Sequence, residues 1–154
     1  SATEAKCNAI LAIFEERGLT LVGRTRFPDE PMPDHEELTS ANVGKALDAA
    51  RGVVSVSDSL ADMIGTDFDD FASDQRSQWA AEMGLIRIGE GVNRIPDDVL
   101  LRFPGQPWRQ IVAMRNFAAH QYDDLDPGRV WTTLTRDVPA LRSYLIETVI
   151  PGLR

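Results

Sequence analysis

Four side chains with chemistry to offer lie close together in one run, Met114-Arg115-Asn116-Phe117-Ala118-Ala119-His120-Gln121-Tyr122: Arg115, Asn116, His120 and Tyr122. An arginine presents a planar fork of N–H donors that matches a phosphate or a carboxylate. A histidine, with an ordinary pKa of about 6.5, gives or takes a proton near neutral pH. An asparagine amide can orient either partner, and a phenol can contact a ligand or be modified itself. Together they are the parts of an acid–base site acting on an anion. A lone histidine beside an apolar surface is more often structural than catalytic. The case therefore rests on the four occurring together, preceded by Trp108 and followed by Asp126-Pro127 and Trp131.

Helical geometry limits how these groups cooperate. At about 100° per residue, Arg115 and Tyr122 fall within about 20° of one line, with Ile111, Ala118 and Ala119 beside it. Arg115 is thus placed at the buried edge of its helix, where an unpaired guanidinium is strongly unfavourable. Asn116 and His120, four apart, share a face about 100° round, and His120 stands about 140° from Arg115. The two cannot converge on one atom within a single helix, so a second copy or a bend must complete the site.

The elements that must hold this run read as helices. Residues 3 to 17 have helical spacing, Leu19 to Val22 suits a short strand, and Phe27 to Glu37, with prolines 28, 31 and 33, suits a loop. Its His35 has no metal-ligand companion at useful spacing. Ser40 is a candidate N-cap for a long helix in which Val43, Leu47, Ala50, Val54, Ala61 and Ile64 recur at helical intervals until Gly65. Thr66 to Phe71 suits a capped turn that tucks Phe68 and Phe71 inward. A helix from Asp74 to Ile95 carries two apolar stripes, Trp79/Met83/Ile86 and Ala81/Leu85/Ile88/Val92/Ile95, which predicts burial from two sides. Gly84, Gly89 and Gly91 in it point to close backbone approach, and Glu90, interrupting the apolar face, is either an exposed edge acid or a partnered one. Pro96 to Gly105 connects to a helix from Trp108 to about Tyr122. Asp126-Pro127 then opens a last helix, with Val130, Trp131, Leu134, Val138, Leu141, Leu145 and Val149 on one face and Pro139 expected to kink it. The expected fold class is all-α, an antiparallel helical bundle of four main helices over residues 40–154, with an N-terminal arm at 1–39.

Composition narrows the function. With 43% hydrophobic residues, 154 residues suffice for one packed core. No run approaches the roughly 18 apolar residues of a membrane span and no secretory signal is visible, so a cytoplasmic location is expected. One cysteine, Cys7, leaves no disulfide framework and no thiolate zinc site. The net charge of −8 argues against coating nucleic acid by bulk electrostatics. Residues 74 to 122, however, carry six arginines against five acids, so the remaining residues hold a balance of −9. Arginine supplies 14 of the 16 basic residues, which suits a local anion site or reflects codon preference alone.

The Arg-x4-His-x-Tyr spacing of Arg115, His120 and Tyr122 resembles the signature of the HepT-like family of the HEPN superfamily. The Ile-Gly-Glu of 88 to 90, Phe-Pro-x-x-Pro-Trp of 103 to 108, Met-Arg-Asn of 114 to 116 and Asp-Val-Pro-x-Leu of 137 to 141 are similar to its wider pattern. The resemblance spans roughly residues 43 to 150 and leaves out 1 to 40. It implies a homodimer whose two signature helices face each other across a composite cleft, and an endoribonuclease toxin that uses neither cofactor nor metal. It also implies a minimal nucleotidyltransferase antitoxin as partner, silencing the toxin by AMP transfer to Tyr122. Cleaving RNA this way needs a base for the 2′-hydroxyl, an acid for the leaving 5′-oxygen and a cation for the phosphorane. His120 from each copy would share the first two roles, Arg115 would supply the third, and Asn116 would orient phosphate or imidazole. The alternatives are a non-catalytic HEPN module binding a nucleotide or nucleotidyltransferase, and a purely structural helical domain. Arg115 and His120 buried, paired and remote from any cleft would favour the last. Asp123, Asp124 and Asp126 beside Tyr122 could serve as metal ligands to an incoming nucleotidyl transfer, but capping and solvation explain them more simply.

Overall fold

Thr39, in extended conformation, accepts the backbone N–H of Asn42 on its hydroxyl at 3.1 Å and starts the first long helix, α1 (Ser40–Ile64). The cap is therefore Thr39 and not the expected Ser40, because Thr39 keeps the non-helical dihedrals a cap requires. The structure is a computed structural model describing residues 37–121 and 126–154, with side chains for 37–116 and 126–154. The helix, strand and His35-bearing loop expected before residue 37 lie outside the described residues. Ala46, Ala49, Ala50, Val53, Leu60 and Ile64 of α1 are buried. Ala61, expected among them, is exposed; the inward position falls to Ser57, whose hydroxyl donates to the Val53 carbonyl at 2.8 Å. Gly65, at φ +71°, ends α1 with a dihedral that L side chains rarely adopt.

Aspartates cap the next two helices. Asp67 accepts the Asp70 N–H at 2.9 Å and caps α2 (Phe68–Ser73). Asp74 accepts from Arg76 N–H at 3.2 Å and from the Ser77 hydroxyl at 2.7 Å, and caps α3 (Gln75–Asn93). That hydroxyl holds the Asp74 carboxyl below its usual range. Phe71 is buried against Trp131, with ring centroids 5.1 Å apart. Phe68, expected inward as well, stays exposed on the rim with its ring edge-on to Trp131 at 5.9 Å.

The short α4 (Asp97–Arg102) is tied to the start of α1 by Asn42, whose side-chain amide donates to Asp98 at 2.9 Å. α5 (Trp108–Gln121) comes next, and Asp126 then caps α6 (Pro127–Thr132) by accepting the Gly128 N–H at 3.3 Å. From there a segmented rod runs through a π turn (Thr133–Asp137), α7 (Val138–Tyr144), a second π turn (Leu145–Val149) and α8 (Ile150–Leu153). Each π turn comes just before a proline, Pro139 or Pro151. A proline cannot donate to the carbonyl four residues back and clashes with it, and widening the preceding turn relieves both problems. The disturbance expected at Pro139 thus takes the form of a π turn.

Among the described residues there is no strand, and the fold is an all-α bundle. One apolar cluster joins α1, α3, α5 and the rod, including Val53, Leu60, Leu85, Ile88, Ile111, Val112, Leu141 and Leu145. Gly91 brings α1 and α3 together: a Cβ there would stand 2.5 Å from Val53 Cγ2. Arg142 Nε donates to Asp58 at 2.6 Å and braces the rod against α1. No described helix is long and apolar enough to cross a membrane.

Candidate functional site

Of the two stripes on α3, the one carrying Ala81, Leu85, Ile88 and Val92 is buried in the core. The other is open to solvent, with Trp79 59% and Met83 50% exposed and Ile86 partly so. Residues 79, 83, 86 and 90 succeed one another by four, three and four positions, so Glu90 continues this stripe along the same face of α3.

Beside Glu90, α3 lies directly against α5. A Cβ on Gly89 would stand 2.9 Å from both the backbone N and Cβ of Arg115, and 3.1 Å from the Ile111 carbonyl. Only a glycine admits the helices this closely. The approach delivers Arg115 to its partner: Nη1 donates to Glu90 Oε1 at 3.5 Å. The Arg115 side chain keeps 20% of its exposure and Glu90 45%, while Arg115 Nε is buried with no hydrogen-bond partner. Arg115 therefore sits at the core edge that its spacing predicts, paired across helices.

Asn116 is the next residue on α5 and is partly buried. His120 belongs to the same helix one turn further on, and its side chain lies outside the described residues, as does all of Tyr122. The side chains of Arg115 and Asn116 are thus described, on faces about 100° apart, whereas His120 is placed by its backbone alone. Of the conditions for a structural reading, Arg115 meets pairing and is not fully buried, and His120 lies outside the described side chains. The sequence leaves the partner of Glu90 open. The signal for it is the Ile-Gly-Glu at 88 to 90, in which the glycine admits Arg115 and the acid holds it. Among the described residues, no group of three or more His, Cys, Asp or Glu is gathered in a metal-binding arrangement.

Arg115 is thus a paired cation whose side chain keeps part of its exposure, at the end of an open apolar stripe. Residues 55–148 match the family described as Ribonuclease HepT-like. A protein of Thermococcus cleftensis named "Probable ribonuclease HepT" is 36% identical over 75 residues, covering 49% of this chain and 68% of the relative. A Methanocaldococcus jannaschii protein provisionally named as an RNase is 30% identical over 87 residues, covering 56% and 74%. A second from that organism, named likewise, is 30% identical over 76 residues, covering 49% and 70%. No solved structure matches. The chain belongs to the HepT-like ribonuclease family.

Proposed function

We propose that this chain is a metal-independent endoribonuclease toxin, active as a cytoplasmic homodimer and silenced by AMP transfer from a minimal nucleotidyltransferase antitoxin to Tyr122. The observation that carries the reading is Arg115, a partly exposed cation fastened by Glu90 within the family's signature helix. His120 of one copy takes the proton of the RNA 2′-hydroxyl, and His120 of the other protonates the departing 5′-oxygen. Arg115 stabilises the charge of the phosphorane, and Asn116 orients phosphate or imidazole. Because Arg115 and His120 diverge by about 140° on one helix, two copies are needed to surround one phosphate. The exposed Trp79–Met83 stripe supports a second copy as its cover. An AMP on Tyr122 adds an anion and a base to the cleft and excludes RNA by charge and volume. In this reading residues 1–39 are an arm outside the catalytic bundle of 40–154.

One observation favours a non-catalytic module that binds a nucleotide or a nucleotidyltransferase: Arg115 already has a carboxylate partner, in a chain of net charge −8. One experiment separates the two. RNA incubated with the purified protein in excess chelator is expected to yield 2′,3′-cyclic phosphate ends, and His120→Ala is expected to abolish the products. Equal cleavage by His120→Ala sinks the assignment, and no cleavage by the unmodified dimer favours the binding module. Mass spectrometry after co-expression with a nucleotidyltransferase tests for AMP on Tyr122.

A further inference from the structure

We infer that Glu90 is a positioning residue for the ribonuclease reaction, holding the Arg115 guanidinium in the orientation that receives the phosphorane; the inference rests on the catalytic reading above. Three observations meet at this pair. Gly89 lets the α3 backbone press on Arg115 N and Cβ at the distance of a missing methyl group, which fixes the root of the side chain. Nε is buried without a hydrogen-bond partner, which confines its middle. Glu90 Oε1 takes Nη1 at 3.5 Å, which fixes one edge of its tip. The side chain still keeps 20% of its exposure, so it is not closed off from a phosphate oxygen.

A free arginine has many rotamers, and a cation that must be ordered during the reaction stabilises a transition state less than one ordered beforehand. Glu90 supplies that order. Its separation from Nη1 is at the outer limit for a hydrogen bond, and it is itself almost half exposed. The contact involves Nη1 alone, so it leaves another edge of the guanidinium to engage RNA. A carboxylate that merely competed with RNA for Arg115 would act in the opposite sense, because its removal would tighten binding and raise kcat/KM.

The sign of the effect decides. Cleavage of a defined RNA oligonucleotide by the full chain is compared for the unmodified protein, Glu90→Gln, Arg115→Lys and the double variant. Glu90→Gln is expected to lower kcat by on the order of 10- to 100-fold with KM changed by less than about three-fold. In the Arg115→Lys background the same change is expected to add much less, because both act through one group. Glu90→Asp keeps the charge and should fall between, which also guards against a fold lost in Glu90→Gln. An unchanged or raised kcat/KM in Glu90→Gln, or a full additional loss on Arg115→Lys, overturns the inference. A second readout needs no cleavage. The Arg115 Nε–H, sealed from water, should exchange slowly by NMR, and about ten-fold faster in Glu90→Gln. Equal exchange in both overturns the inference. Accelerated exchange in a protein that cleaves no RNA overturns the ribonuclease reading and leaves the seat for Arg115 intact.

Discussion

Gly89 and Arg115 meet backbone to backbone: a Cβ on the glycine would lie 2.9 Å from the arginine's amide nitrogen. Neither group can swing aside, so Gly89→Ala must separate α3 from α5. Alanine is the better helix former by about 1 kcal/mol, and overpacking a tight contact opposes it by roughly 1–3 kcal/mol. A net destabilisation of about 1 kcal/mol is expected in urea unfolding, with RNA cleavage falling further than stability because Arg115 moves. Gly44 and Gly52 in α1 have open space where a Cβ would go. Gly44→Ala and Gly52→Ala should therefore stabilise by about 0.5–1 kcal/mol. The same loss of stability at all three positions would mean that helix contact is not what glycine provides at 89.

The Trp79–Met83 stripe yields a prediction about assembly. Both side chains are half exposed or more, so replacing them removes little from the folded single chain. Trp79→Asp with Met83→Asp is expected to sediment as a monomer, to keep the unfolding midpoint of a dilute sample, and to lose RNA cleavage. If the double variant sediments like the unmodified protein, this stripe is not the surface that joins two copies.

Tyr144 reports on the clamp between the rod and the connector before α5. Its phenolic oxygen accepts the Gly105 N–H at 3.0 Å, and its ring lies 6.0 Å from that of Trp108. Burial pushes the phenol above its ordinary value of 10.0, and the Gly105 hydrogen bond pulls partly back. The fold thus favours the neutral phenol. That stabilisation is complete below pH 10 and is lost as pH rises through the raised value. With only one other tyrosine, an absorbance titration in a Tyr122→Phe background isolates this step, expected above pH 10 and absent in Tyr144→Phe. At neutral pH Tyr144→Phe should lower stability by about 1 kcal/mol through the lost acceptor. A titration at the ordinary value would show that the clamp opens in solution.

Which of these features the sequence reveals depends on how far apart the interacting residues lie. The capped turn at 66 to 71 and the Asp126 start of the last helix are legible because a cap acts within three residues of its own chain. The placement of Arg115 at a buried edge follows from helical periodicity, and so does the existence of a second stripe on α3. The Arg115–Glu90 pair does not, because it spans 25 positions and depends on two helices meeting at Gly89. Phe68 departs from its expected burial for a related reason. Its helix turns toward Trp131, more than sixty positions away, and Phe71 alone of the two is buried beneath that ring. Arg115 and His120 pose a different problem, since their expected divergence of about 140° on one helix predicts a site that one chain cannot complete.

Completion of the site by a second chain can be tested by mixing the unmodified protein with His120→Ala. If one composite cleft takes His120 from both copies, one as base and one as acid, a mixed dimer has lost one of its two proton-transfer groups and should not cleave. Equal amounts pairing at random leave about half of the unmodified chains with an unmodified partner, so cleavage should fall to about half as subunits exchange. A centre built within one copy would keep its full rate. The fall must depend on exchange, so it should develop over the time the dimers take to dissociate and be absent when each protein is cross-linked beforehand. A rate unchanged after full exchange would show that each copy cleaves without the His120 of a second copy.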